Sequence, residues 1–194
     1  MSHAKVGEPA PDFDLPVFDP KDPGNLKLRV TLADFHGEWL VLFFYPSDFT
    51  FVCPTEILAF ADHRRTFDDL GAKILGCSTD TIHTHRAWVE TPRERNGIAG
   101  VNYPLAADHG GRLADSLGIL LPDQHIALRG LFIIGPTARI EYAVIHSLTI
   151  GRSTEETARV LAALQTGGLC PSDWKPGAKT LSGAQEKPEK KRAA

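Results

Sequence analysis

Only three cysteines and one methionine occur among the 194 residues, and no two cysteines are spaced Cys-x-x-Cys. That scarcity excludes a disulfide-stapled scaffold, a vicinal redox dithiol and a zinc clip of paired cysteines. Of the eight histidines, only His83 and His85 lie close together on a helix-like stretch, and residues two apart do not share a helix face. No metal site is expected, and no cofactor. No apolar run approaches the roughly 18 residues of a membrane span. Met1 to Lys5 lacks the charged-then-apolar pattern of a leader, so a cytoplasmic chain without membrane attachment is expected. A formal net charge of −3 argues against a general nucleic-acid binder. The one basic cluster, Lys190-Lys191-Arg192, sits in a polar tail and reads as solvated.

What is present is an α/β pattern. Residues 1–30 carry Pro9, Pro11, Pro16, Pro20 and Pro23 and read as an extended, loop-rich entry. Thr31 to Phe35 with His36-Gly37 reads as one helical turn and a stop. Leu40 to Tyr45 is a continuous apolar run of the kind buried on both faces of a sheet, and Ala72 to Ser78 reads as the next buried strand. Thr55 to Leu70 carries Ile57, Leu58, Phe60, Ala61 and Phe67 at helical spacing, closed by Gly71. His83 to about Arg95 and Arg112 to Leu117 read as further helices. Leu128 to Ile134 and Ile140 to His146 read as a hairpin about Gly135-Pro136-Thr137. A helix beginning at the capping-box pattern Ser153-Thr154-Glu155-Glu156 runs to Gln165 before Gly167-Gly168. The order βα, βα, α, ββ, α predicts a central mixed β-sheet flanked by helices, and its closing β-β-α is the arrangement of a thioredoxin-like fold. We place the domain at 1–168, with an N-terminal extension, and a C-terminal arm at 169–194 that is expected to be disordered from Ala178 onward.

Cys53 stands out by position. The strand ending at Tyr45 is followed by the loop Pro46-Ser47-Asp48-Phe49-Thr50-Phe51-Val52, and a helix then opens with a thiol in or just before its first turn. Unpaired N–H groups and the helix dipole favour an anion there, and the thiolate is the nucleophilic form of cysteine. Cys77 lies in a buried strand, where a free cysteine acts as a small hydrophobe.

The stretch FFYPSDFTFVCPTE, Phe43 to Glu56, closely resembles the active-site segment of the peroxiredoxins. Ser78-Thr79-Asp80 followed by His85-x-x-Trp88, Arg129-Gly130-Leu131-Phe132-Ile133-Ile134, and Gly151-Arg152-Ser153 are similar too. Cys170-Pro171 and Trp174-Lys175-Pro176-Gly177 resemble the resolving arm of the typical two-cysteine subgroup. The resemblance spans residues 5–177 and implies a thiol peroxidase for hydrogen peroxide and organic hydroperoxides. Cys53 would attack the O–O bond and become a sulfenic acid. Cys170 of the partner subunit would condense with it to a disulfide, and thioredoxin or a dedicated flavoprotein disulfide reductase would restore the dithiol. Arg129 would face both thiolate and peroxide, since its planar fork stays charged. Thr50 would bridge thiolate and peroxide, Pro46 would shield the sulfur, and Glu56 would hold Arg129 and Arg152.

Taken one at a time these residues have plainer readings: an arginine pairs with a surface carboxylate, a threonine caps a helix, a proline makes a turn. His83, His85 and Trp88 read as packing and capping residues. Phe49 and Phe51 fit a core or a contact between dimers equally. A cysteine on an arm meeting one at a helix start implies a homodimer with reciprocal contacts and local unwinding, since a disulfide needs Cα atoms within about 7 Å. Ile140 to His146 is a candidate pairing edge, and family dimers often assemble into decamers. The chain departs from family members that over-oxidise easily. It reads Asn96-Gly97-Ile98-Ala99-Gly100 where they carry Gly-Gly-Leu-Gly, and has no aromatic residue after Trp174, so resistance to sulfinic acid formation is expected. Alternatives are a one-cysteine peroxiredoxin, a peroxide sensor and a holdase chaperone.

Overall fold

The computed structural model describes residues 4–181 and divides into two compact units, Met1–Thr154 and Glu155–Ala194. In chain order the elements are β1 (Asp14–Phe18), β2 (Arg29–Thr31), a 3₁₀ turn (Leu32–Phe35), β3 (Trp39–Phe44), α1 (Cys53–Asp62), α2 (Arg64–Asp69), β4 (Ala72–Ser78) and α3 (Ile82–Glu90). A second 3₁₀ turn (Arg93–Arg95), β5 (Leu105–Ala107), α4 (Arg112–Ser116), β6 (Leu120–Leu121), β7 (Ile126–Ala127), β8 (Arg129–Ile134), β9 (Ile140–His146) and α5 (Thr154–Gln165) follow.

Seven strands form one mixed sheet in the order β2-β1-β5-β4-β3-β8-β9. The βα units make β3, β4 and β5 parallel, whereas the hairpin β8–β9 joins β3 antiparallel. This is the thioredoxin-like arrangement that the element order predicts. Strand β3 is apolar throughout because both its faces are covered. Leu40, Leu42 and Phe44 point into a cluster with Leu113, Leu117 and Ile119. On the other face Phe43 stacks on Phe60 of α1 at 4.5 Å between ring centroids and meets Tyr103 edge-on. Packing α1 on β3 in this way places the start of α1 at the C-terminal end of β3.

Three sequence expectations need correction. The single helix expected over Thr55 to Leu70 breaks at His63, which sits outside helical backbone at φ −92°, ψ 10°. The proline-rich entry holds a hairpin: Asp14–Pro16 pair with β2 while Val17 and Phe18 pair with β5. Pro16 is tolerated because it comes before the segment that pairs with β5, so at its own position the strand is paired on the β2 side alone. The helix expected to reach Arg95 ends at Glu90, and a 3₁₀ turn closes on Asn96 in the left-handed region at φ 60°.

In the second unit, Leu169 and Leu181 form a β-bridge, Trp174 Nε1 donates to the Ala178 carbonyl at 3.0 Å, and Arg159 Nη1 donates to the Trp174 carbonyl at 3.0 Å. Ala178 and Leu181 are therefore held by hydrogen bonds, against the disorder expected from Ala178 onward, and the rest of that expectation, from 182 on, lies outside the described residues. Among the described residues no helix is long and apolar enough to cross a membrane.

Candidate active site

Cys53 is the first residue of α1 and is fully buried. Pro54 has no N–H to offer, and the amides of Thr55 and Glu56 both donate to the Val52 carbonyl. The donor that reaches the sulfur is a side chain: Arg129 Nη1 lies 3.4 Å from Cys53 Sγ. The same nitrogen donates to Glu56 Oε2 at 2.5 Å, and Arg129 Nε donates to the Leu148 carbonyl at 2.8 Å. Glu56, one helical turn beyond Cys53, receives Arg152 on its other oxygen, from Nε at 2.7 Å and from the backbone N–H at 2.8 Å. Arg152 Nη1 donates to the Gly130 carbonyl at 2.6 Å, and its guanidinium covers the Phe43 ring at 5.5 Å.

All four side chains, Cys53, Glu56, Arg129 and Arg152, are buried. Burial pulls Arg152 below its ordinary value, against the opposing pull of Glu56, but a guanidinium remains a cation near neutrality. Two cations and one carboxylate leave one unit of positive charge uncompensated beside the sulfur, which an anionic sulfur would neutralise. A buried net charge is costly, so the cluster stabilises negative charge on Cys53 and on any oxygen developing charge beside it.

The structure brings Arg129, Glu56 and Arg152 to Cys53. Pro46 is buried in the loop between β3 and α1, and Thr50 is half-buried. The Thr50 hydroxyl donates to the Ser47 carbonyl at 3.0 Å, which leaves its oxygen free to accept. Cys170 lies in the second unit, half-buried, with its sulfur 3.5 Å from Thr166 Oγ1 and 3.8 Å from the Ala163 carbonyl. Cys77 is fully enclosed in β4, and burial, with Asp108 nearby, pushes its thiol well above the usual range. Phe49 and Phe51 are not core residues in this chain: they are 45% and 88% exposed. His83 is exposed, Trp88 is buried, and the cap of α3 is Thr81, which accepts from the Thr84 N–H at 3.3 Å.

Two contacts that sequence reasoning did not foresee also hold the loop, one of them made by His85, which it read only as a packing or capping residue and which is fully buried. Asp48 pairs with His85, and the Asn96 amide donates to the Thr50 carbonyl at 3.1 Å. Asp48 and His85 both fall within the peroxiredoxin-like stretches, but nothing in their spacing along the chain announces that they meet. Among the described residues no group of three or more His, Cys, Asp or Glu could hold a metal ion.

A thioredoxin-like sheet with one buried cysteine at the start of its first helix, faced by a guanidinium, defines a class of redox protein that works through a single attacking thiol. The chain belongs to the AhpC/TSA family, whose model matches residues 6–143. It is 50% identical over 182 residues to "Putative peroxiredoxin YkuU" of Bacillus subtilis (strain 168), covering 93% of this chain and 100% of that protein. It is 45% identical over 184 residues to peroxiredoxin-2 of Rattus norvegicus, covering 92% and 90%. Among solved structures, the reduced 2-Cys peroxiredoxin of Plasmodium vivax matches with a TM-score of 0.85 at 32% identity, covering 90% of this chain and 91% of that one. AhpC of Mycobacterium bovis matches at 0.77 and 34% identity, covering 90% and 100%. The protein is thus an enzyme of the peroxiredoxin type, a thiol peroxidase.

Proposed function

We propose that Cys53 is the peroxidatic nucleophile and Cys170 of the partner subunit the resolving thiol. The observation that carries the first assignment is the 3.4 Å contact from Arg129 Nη1 to Cys53 Sγ inside a buried cluster with one excess positive charge. The Cys53 thiolate attacks one oxygen of the hydroperoxide, the O–O bond breaks, and the second oxygen leaves with the electron pair and takes a proton as water or alcohol. Arg129 stabilises the charge on that leaving oxygen. Arg152 and Glu56 hold Arg129 in place, the Thr50 hydroxyl oxygen accepts a hydrogen bond from the peroxide, and Pro46 keeps water from the sulfur.

The Cys53 sulfenic acid then loses its oxygen as water to the incoming Cys170 thiol, leaving an intersubunit disulfide. A buried sulfur is out of reach of a second subunit's thiol, so the first turn of α1 must unwind for this step. Thioredoxin or a flavoprotein disulfide reductase supplies two electrons to restore both thiols. Support for a homodimer, and for its assembly to a decamer, comes from edge strand β9 with Ile145 48% exposed, from the exposed Phe51, and from the family resemblance. With no bracing C-terminal aromatic after Trp174, unwinding outpaces a second oxidation, and the enzyme resists sulfinic acid formation.

The test is to add one equivalent of hydrogen peroxide to the reduced protein and follow intact mass and non-reducing gels. A fast, reducible Cys53–Cys170 dimer is expected. Slow or absent oxidation of Cys53 refutes the first assignment. A stable monomeric sulfenic acid in the wild type, with turnover unaltered by Cys170→Ser, refutes the second.

A further inference from the structure

Beneath the loop that joins β3 to α1 lies a closed polar cluster that the reaction scheme above does not use. Asp48 Oδ2 is 2.7 Å from His85 Nδ1, and the Tyr45 hydroxyl donates to Asp48 Oδ1 at 2.9 Å. His85 Nε2 faces the Ala106 carbonyl at 3.2 Å. The His85 and Asp48 side chains are 0% and 1% exposed. A carbonyl can only accept, so Nε2 carries a proton, and the contact between Nδ1 and the carboxyl needs a second proton. Two protons shared by the pair satisfy every polar atom that faces it.

A buried ion pair of this kind contributes little net stability compared with apolar packing of the same volume. What it does supply is geometry. Asp48 lies midway between Pro46 and Thr50, and its side chain ties that point of the loop to α3 through His85 and to β5 through Ala106. Its backbone N–H donates to Asp80 Oδ2 at 2.8 Å, and Asp80 is fixed in turn by the Ser78 hydroxyl at 3.0 Å. None of these anchors belongs to α1. The next residue, Phe49, is held at φ 55°, a conformation that costs a non-glycine residue of order 1 kcal/mol and persists only where its surroundings impose it.

We propose that Asp48 and His85 are positioning residues for the peroxidase reaction. They fix the loop against α3 and β5, and so fix where the Thr50 hydroxyl and Pro46 stand relative to Cys53. The proposal rests on Cys53 being the peroxide nucleophile, and it separates two properties of that sulfur. Its charge is set by Arg129, Arg152 and Glu56, whereas the seat for the peroxide is set by the loop. Breaking the clasp therefore slows reaction with peroxide without slowing reaction with a simple alkylating agent, because alkylation needs the thiolate and access to it but not the seat.

The experiment measures two second-order rates for reduced Asp48→Ala, His85→Leu, His85→Gln and Asp48→Asn: oxidation by hydrogen peroxide, and alkylation of Cys53 by iodoacetamide followed by mass spectrometry. Asparagine can keep all the bonds without charge. Its amide N–H donates to Nδ1 of a neutral imidazole, its oxygen accepts from Tyr45, and Nε2–H still serves Ala106. Asp48→Ala and His85→Leu are expected to lose about 10- to 100-fold in the peroxide rate, the scale of a small misplacement at a reacting centre. Their alkylation rates do not fall, and Asp48→Asn recovers most of the peroxide rate.

His85→Gln can serve only one of the two acceptors and falls between. If the alanine and leucine variants do not fold, the ranking of His85→Gln below Asp48→Asn decides. Equal losses in both rates, no loss in peroxide rate, or no recovery by Asp48→Asn overturns the proposal. Wild-type peroxide reactivity retained in Cys53→Ser would instead overturn the nucleophile assignment, whatever the clasp variants do.

Discussion

Glu56 holds two guanidiniums with one carboxylate, both oxygens engaged, in a site closed to water. Removing its charge leaves two buried cations facing each other and the sulfur. Breaking a buried pair from one side typically costs about 3–5 kcal/mol, and a loss of that size is expected for Glu56→Gln in urea unfolding of the reduced protein. Arg129→Met removes the donor nearest the sulfur, and stopped-flow oxidation by peroxide should slow by about 10²- to 10³-fold, the range found when one charge-stabilising donor is lost. Cys77 gives a contrast between two cysteines that are both buried. Among the described residues no cation acts on Cys77, and burial pushes its thiol well above the usual range. Only the thiolate is nucleophilic, so peptide mapping after iodoacetamide treatment of the native protein at pH 8 should find Cys53 and Cys170 modified and Cys77 intact. All three should be modified in urea.

Strand β3 was legible because a strand covered on both faces shows as an unbroken apolar run, Trp39–Phe44, and β4 because Ala72–Ser78 is apolar apart from the exposed Lys73 and the closing Ser78. Strands β2 and β5, of three residues each, are too short to show a period, and Pro16 concealed β1. Within the site, Cys53, Arg129, Glu56 and Arg152 could be named from the sequence because each sits in a family-like motif. The Asp48–His85 pair could not, since residues 37 positions apart are brought together only by the parallel crossover from β3 to β4 and the helix α3 that follows it.

Packing between elements also sets the cost of small changes. A Cβ at Gly76 in β4 would lie 2.8 Å from Leu105 Cδ2 and 3.1 Å from Phe43 Cζ. Gly76→Ala should therefore destabilise by about 1–3 kcal/mol through overpacking, read as a lower urea midpoint. Asp108 caps the start of α4, accepting from the Leu113 and Ala114 N–H groups at 3.3 and 2.8 Å, and burial raises its carboxyl above the ordinary range. A carboxyl whose folded value exceeds its unfolded one binds its proton more tightly in the folded chain. Its contribution to stability is complete below about pH 4, the unfolded value, and fades as pH rises through the raised one. The stability of wild type relative to Asp108→Asn should therefore fall as pH rises from 4 towards 7, as urea midpoints across that range would show.

At the scale of the whole molecule, the proposed cycle divides the work between the two units. The first, Met1–Thr154, contains every residue of the arginine cluster, and the second, Glu155–Ala194, contains Cys170. A chain truncated after residue 168 should still reduce one equivalent of peroxide at Cys53 but should lose turnover with a dithiol reductant such as thioredoxin. Full turnover by the truncated chain would show that Cys170 is dispensable. The burial of Cys53 has a further consequence. In the proposed cycle, the native contacts that hold Cys53 beneath the loop, among them the Asn96 amide on the Thr50 carbonyl, are surrendered when the disulfide forms and regained when it is reduced. Their free energy therefore adds to the driving force of reduction, and for a two-electron couple every 1.4 kcal/mol raises the potential by about 30 mV. On that scheme, by hiding its thiol the folded chain would make its own disulfide easier for an electron donor to open.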